Sequence, residues 1–91
     1  MKPKFPLGQV VGTPGALKAI AEAGQSPEFF LDKHVAGDWG EIGNEDKRAN
    51  EHALVDGSRL LSAYRTLRGV KIWVITEADR SSTCLLRPEE Y

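Results

Sequence analysis

The strongest constraint on the fold lies in the last third of the chain. Arg59-Leu60-Leu61-Ser62-Ala63-Tyr64-Arg65-Thr66 and Lys71-Ile72-Trp73-Val74-Ile75-Thr76-Glu77 flank the short segment Leu67-Arg68-Gly69-Val70. Both long runs favour extended backbone, and Gly69 suits the positive φ of a tight turn, so the pattern predicts a β-hairpin. Ile72 to Ile75 is an unbroken apolar run, which predicts a central strand covered on both faces. A charged corner, Ala78-Asp79-Arg80-Ser81, leads into a third short strand from Ser82 to Arg87. The expected position of Arg65, Glu77, Asp79 and Arg80 is near one edge of this sheet.

The upstream sequence supplies helices to cover it. Leu7 to Val11 can form a short strand. Thr13-Pro14 and Ser26-Pro27 each read as an N-cap followed by proline at the first helical position. Ala16, Leu17, Ile20 and Ala21 then share a face of one helix, and Phe30, Leu31, His34 and Val35 a face of the next. Gly24 and Gly37 serve as stops. A third, mostly polar helix runs from a cap at Asn44 to Gly57, with Ala49, Ala53, Leu54 and Val55 as its candidates for a core. The expectation is α+β: an N-terminal short strand and three helices followed by a three-stranded antiparallel β-meander, with the first strand able to add an edge. The 91 residues suit a single domain, 1–91, with residues 1–6 as an extended arm.

Charge and composition narrow the function classes. Net charge is −1, so the chain lacks the basic excess from which nucleic-acid binders draw most of their affinity. Nucleic acid is therefore not favoured as a partner, although Arg59, Arg65, Arg68, Lys71, Arg80 and Arg87 gather in the last third. No apolar window is long enough to cross a bilayer, and no apolar stretch follows Lys2 and Lys4 as a secretory signal would require. Cys84 is the single cysteine, which excludes an intrachain disulfide and suits a reducing, cytoplasmic setting. It reads as a small buried filler in a strand.

Three constellations could carry chemistry. The corner from Thr76 to Thr83 concentrates Glu77, Asp79, Arg80 and four hydroxyls, and reads either as a recognition site or as a turn with a capping Asp79. Glu77 with Arg65 and Arg80 could imitate the base and arginines of a small ribonuclease, but that chemistry wants a histidine acid. His34 lies on an apolar helix face, where a satisfied buried role is expected, and His52 on a solvated one. The loop around Asp38 and Trp39 could present an aromatic anchor to a partner or fold back as a cap on the core. His34, Asp38 and Glu41 lack metal-ligand spacing, and the glycines from Gly8 to Gly15 form no phosphate loop, so no metal and no cofactor is expected.

Phe5-Pro6-Leu7-Gly8-Gln9-Val10-Val11-Gly12-Thr13-Pro14-Gly15-Ala16-Leu17, Gly37-Asp38-Trp39-Gly40, Arg59-Leu60-Leu61-Ser62-Ala63-Tyr64 and Ile72 to Ser81 together resemble a family of small bacterial proteins. These are carried on plasmids, prophages and integrated elements and are known as plasmid-related proteins. The resemblance spans nearly the whole chain. It implies a bacterial, cytosolic, mobile-element setting, in which small proteins often act by binding, for example as anti-restriction or anti-CRISPR inhibitors of host defence complexes. It brings no catalytic residues with it.

The leading expectation is thus a non-enzymatic binding protein that acts on a host or element-encoded protein complex. Its expected contact residues are Asp38, Trp39, Arg65, Glu77, Asp79 and Arg80. The alternative is a small ribonuclease-like toxin using Glu77 and Arg80. Self-association through an edge strand is a third reading.

Overall fold

The helix boundaries lie close to where the sequence places them, but of the expected caps only Thr13 makes a side-chain cap bond: Ser26 makes none, and Gly43 rather than Asn44 stands at the N-cap of the third helix. In the computed structural model, which describes residues 3–91, the order is β1 (Gln9–Gly12), α1 (Pro14–Glu22), α2 (Pro27–Val35), α3 (Asn44–Asp56), β2 (Leu60–Arg65), β3 (Lys71–Thr76), β4 (Ser82–Leu86) and a 3₁₀ turn at Pro88–Glu90. Met1 and Lys2 of the expected arm lie outside the described residues. Thr13 Oγ1 accepts the Ala16 amide at 3.2 Å, which satisfies one of the orphan donors at the start of α1. The first turn of α1 holds no acidic residue of its own. Glu90 supplies one from the other end of the chain, its carboxylate accepting from Thr13 Oγ1 at 2.5 Å and from the Gly15 amide at 3.2 Å. A negative charge there complements the helix dipole and ties the C-terminal turn to α1.

Four strands form one sheet in the order β1-β4-β3-β2. The antiparallel meander is present: β2 pairs with β3 from Leu60↔Thr76 to Arg65↔Lys71, and β3 pairs with β4 from Trp73↔Leu86 to Thr76↔Thr83. The three-stranded expectation is incomplete, because β1 adds a fourth strand parallel to β4, from Gln9↔Ser82 to Gly12↔Leu85. Parallel neighbours need a long crossover. Here all three helices and two strands intervene, so no local pattern marks the pairing.

Strand pairing assigns the two faces. Leu60, Ser62, Tyr64, Ile72, Val74, Thr76, Thr83 and Leu85 share one face, and all are buried. Ala16, Ala19 and Ile20 of α1 and Phe30 and Leu31 of α2 pack on it. Phe5, Trp39, Ala53 and Leu60 continue this core toward α3. The buried stripe of α1 differs from the expected one. Ala19 replaces Ala21, and Leu17 stays 41% exposed because it turns toward the edge strand rather than the sheet centre.

The opposite face carries Ala63, Ile75 and Leu86, all buried, with Trp73 and Cys84 half-buried. The Tyr91 ring meets Trp73 edge-on at 5.8 Å and helps to cover it. β3 is therefore central with apolar residues on both faces, as its unbroken run implies. Burial raises the pKa of the Cys84 thiol, which suits packing rather than reactivity.

Candidate functional site

Beneath the helices runs a chain of polar side chains. His34 is fully buried, with Nδ1 2.5 Å from Ser62 Oγ and Nε2 2.9 Å from Thr76 Oγ1. Thr76 Oγ1 lies 2.7 Å from Thr83 Oγ1, which donates to the Leu7 carbonyl at 2.7 Å. Each hydroxyl has one proton, and this fixes the direction of the whole chain. The Thr83 proton goes to Leu7, so Thr83 accepts from Thr76. Thr76 then accepts from His34 Nε2–H, and Nδ1 accepts from Ser62. Burial, and secondarily the charge of Arg80, lower the His34 pKa to about 4, so the ring holds this neutral tautomer at neutral pH. The edges and faces of Phe5 and Trp39 enclose it at 5.1 and 5.8 Å between centroids. A serine–histidine pair in this position is sealed from any substrate, since Ser62 and His34 are both fully buried.

The charged corner between β3 and β4 is engaged internally. Arg80 adopts φ +62° and turns its guanidinium onto main-chain carbonyls. Its Nη1 donates to Ser58, Glu77 and Ala78 at 2.6, 3.2 and 3.2 Å, and Nη2 to Ala53 at 2.8 Å. Ala53 belongs to the last turn of α3, so the cation sits where the helix dipole is negative. It also lies 5.8 Å from the Phe5 ring centroid. Asp79 accepts from the Ser81 amide at 3.0 Å, and hydrogen bonding from Ser81 keeps its carboxyl below the usual range. Glu77 pairs with Arg59 at 3.2 Å, and Arg59 donates to the Tyr91 hydroxyl at 2.9 Å.

Arg65 does not join this corner, contrary to the expectation of one shared edge. It pairs with Lys71 at the opposite end of the β2–β3 ladder, about 20 Å from Glu77 at ~3.3 Å per residue. The contact residues expected from the sequence therefore divide between two ends of the sheet.

The outer edge of β2 is closed by two devices, one toward its Arg65 end and one toward Leu60. Ala63 donates to the Trp39 carbonyl at 3.1 Å and accepts from the Glu41 amide at 2.6 Å. Leu61 donates to Asn50 Oδ1 at 3.1 Å and accepts from Asn50 Nδ2 at 2.7 Å. Gly40, with φ +75°, allows the first approach, because any Cβ there would strike the Ala63 carbonyl. Trp39 is a core residue rather than a surface anchor. It is 4% exposed, stacks on Phe5 at 6.2 Å, and donates its indole N–H to Glu51 at 2.9 Å. The reason is geometric: pairing of the loop with Ala63 turns the indole inward.

Beside this closed edge lies a shallow depression of about 190 Å³. Phe29 and Lys33 of α2, Asp38 and Glu41 of the loop, and Tyr64 and Arg65 of β2 line it. The Arg65 Nε donates to Glu41 at 2.9 Å, and the Lys33 ammonium lies 4.7 Å over the Phe29 ring. The Tyr64 hydroxyl donates to the Asp38 carbonyl, and burial raises its pKa. Asp38 and Arg65 were legible as candidates. Phe29, Lys33 and Glu41 were not, although Phe29 stands off the apolar face of α2 and is 46% exposed, which is the signal a helical-wheel reading offers.

Among the described residues no cluster of histidine, cysteine, aspartate and glutamate could hold a metal ion, and no helix is long and apolar enough to cross a membrane. Compared with family models, with curated proteins and with solved structures, the chain matches none.

Proposed function

We propose that this chain is a binding protein rather than an enzyme, and that it docks on a protein partner through the depression between α2 and the β2 edge. The observation that carries this reading is the exposed Phe29 ring set beside the Arg65–Glu41 ion pair, in a depression that Lys33 and Asp38 also line. An aromatic anchor with a ring of mixed charge suits a protein surface, where Phe and Arg are enriched in contact patches. It does not suit a polyphosphate, which calls for an excess of cations. The internal engagement of Arg80 and the burial of His34 weigh against the ribonuclease-like alternative, which needs both an accessible arginine and an accessible acid.

The resemblance to small plasmid- and prophage-borne proteins extends the proposal to a host partner, a defence complex of the restriction or CRISPR type. The test is capture from lysate of a bacterial host with the full chain as bait, followed by Phe29→Ala and Arg65→Glu variants. The reading requires a saturable partner whose capture falls at least tenfold in both variants. Equal capture by the variants and the wild type contradicts it.

A further inference from the structure

The two edges of the sheet are treated in opposite ways. β2 has its outward main-chain groups at Leu61 and Ala63 occupied by Asn50 and by the Trp39–Glu41 loop. β1 has no such cover. Its parallel pairing to β4 uses alternate residues: the Gln9 amide bonds Ser81 and the Thr13 amide bonds Leu85. The residues between, Val10 and Gly12, therefore turn their N–H and C=O away from the sheet. Among the described residues neither has a main-chain partner on that side. Val10, Val11 and Leu17, each more than 40% exposed, cluster here. With Gly12, Pro27, Leu31, Leu85 and one charged residue, Glu28, they line an open, largely apolar groove of about 470 Å³. No lysine, proline or bulge within β1 guards this edge, devices by which sheet proteins discourage pairing.

We propose that the occupant of this edge is the β1 strand of a second copy, paired antiparallel about a two-fold axis through Val11. The register follows from which groups point outward. Val10 of each copy exchanges both main-chain hydrogen bonds with Gly12 of the other, four bonds in all, and the two Val11 side chains meet on the dyad as a non-hydrogen-bonded pair. This register is self-consistent only because Val10 and Gly12 are equidistant from Val11.

Side-chain space and charge agree with it. Val10 and Gly12 lie on the helix-covered face, so Val10 of the second copy stands opposite the one position of the strand that has no Cβ. Leu17 already lies over that position, where a Cβ on Gly12 would come within 2.8 Å of its Cδ2. The incoming valine would therefore pack against Leu17 and toward Leu31, and by symmetry all three exposed apolar side chains of each edge become covered. Gln9 to Pro14 carries no charge, so the two strands meet at the axis without repulsion. The contact is small, which places the dimer in the weak, transient class. It leaves the Phe29–Arg65 depression of each copy at the far edges and does not rest on the function proposed for that surface.

Sedimentation velocity of the full chain, from micromolar to millimolar concentration, reads the proposal directly. The mass should rise from 10.0 kDa toward twice that value. Val10→Pro removes an outward donor and none that β4 uses, so it should keep the native circular dichroism and lose at least tenfold in association. Val11→Lys sets two like charges face to face on the dyad and provides a second variant if proline disturbs the fold. Val11→Cys in a Cys84→Ser background should form a disulfide-linked dimer on oxidation much faster than Val55→Cys in the same background. A monomer at millimolar concentration overturns the proposal, as does association that survives in a folded Val10→Pro or Val11→Lys chain, or equal cross-linking of the two cysteine variants.

Discussion

The side-chain amide of Asn50 takes both main-chain hydrogen bonds of Leu61, accepting from its N–H at 3.1 Å and donating to its C=O at 2.7 Å. A single residue of α3 thus acts as one rung of a strand. It is 4% exposed in an otherwise polar helix, and it closes an edge that would otherwise be open.

Asn50→Leu keeps the volume and removes both bonds. With a donor and an acceptor of Leu61 left partly buried, the cost should be about 2–4 kcal/mol in urea unfolding. Asn50→Asp keeps an acceptor for the Leu61 amide but faces its carbonyl with another acceptor, so it should also destabilise, and more at neutral than at acidic pH. A change below about 0.5 kcal/mol in Asn50→Leu would mean that the amide is not a structural rung.

Acid should weaken the fold through His34 before it does so through the carboxylates. The folded pKa of about 4 lies below the unfolded value of 6.5, so the unfolded chain binds the extra proton first. The contribution is fully present above 6.5 and is lost as pH falls toward 4, about 3 kcal/mol over that window. The hydrogen-bonded carboxylates Asp56, Asp79 and Glu90 also have lowered values, but their loss begins only near their ordinary values of 3.8 to 4.5. Urea midpoints between about pH 7 and about pH 4.5 isolate the histidine. His34→Gln should lower stability at neutral pH and flatten the slope. An unchanged slope in that variant would remove His34 as the cause.

Arg80 and Glu77 should separate sharply despite sharing a corner. Arg80→Ala removes donors from the carbonyls of Ala53, Ser58, Glu77 and Ala78 and leaves the left-handed backbone, so a loss of about 2–3 kcal/mol is expected. Arg80→Gly relieves the φ of +62° and should be about 1 kcal/mol less costly than the alanine variant. Glu77→Gln breaks only the exposed pair with Arg59 and should change thermal stability by less than about 1 kcal/mol. Reversal of this order would contradict the structural role given to Arg80.

These residues show where sequence reading succeeds and where it stops. Thr13 with Pro14, Pro27 and Gly57 act locally, through their own backbone or main-chain groups a few residues away, and their helix boundaries are legible. The run Ile72 to Ile75 announces a central strand because burial on both faces leaves its mark within the run itself. The parallel partner of β1 leaves no such mark, since it lies at the other end of the chain. Asn50 and Arg80 look like ordinary surface polar residues, and only the folded chain brings a strand edge or a set of carbonyls to them. Trp39 was legible both as a contact residue and as a cap on the core, and the pairing of its loop with Ala63 decides for the core.

The asymmetry of the two sheet edges underlies both the closed surface near Arg65 and the self-pairing of β1. Residue-resolved amide hydrogen exchange on dilute full-length protein, below the concentration at which it associates, tests that asymmetry most directly. The amides of Leu61 and Ala63 should be protected to the level of the sheet interior, while those of Val10 and Gly12 exchange at least a hundredfold faster and slow down as concentration rises. Equal protection at all four amides in the dilute sample, or rapid exchange at Leu61 and Ala63, would contradict the account.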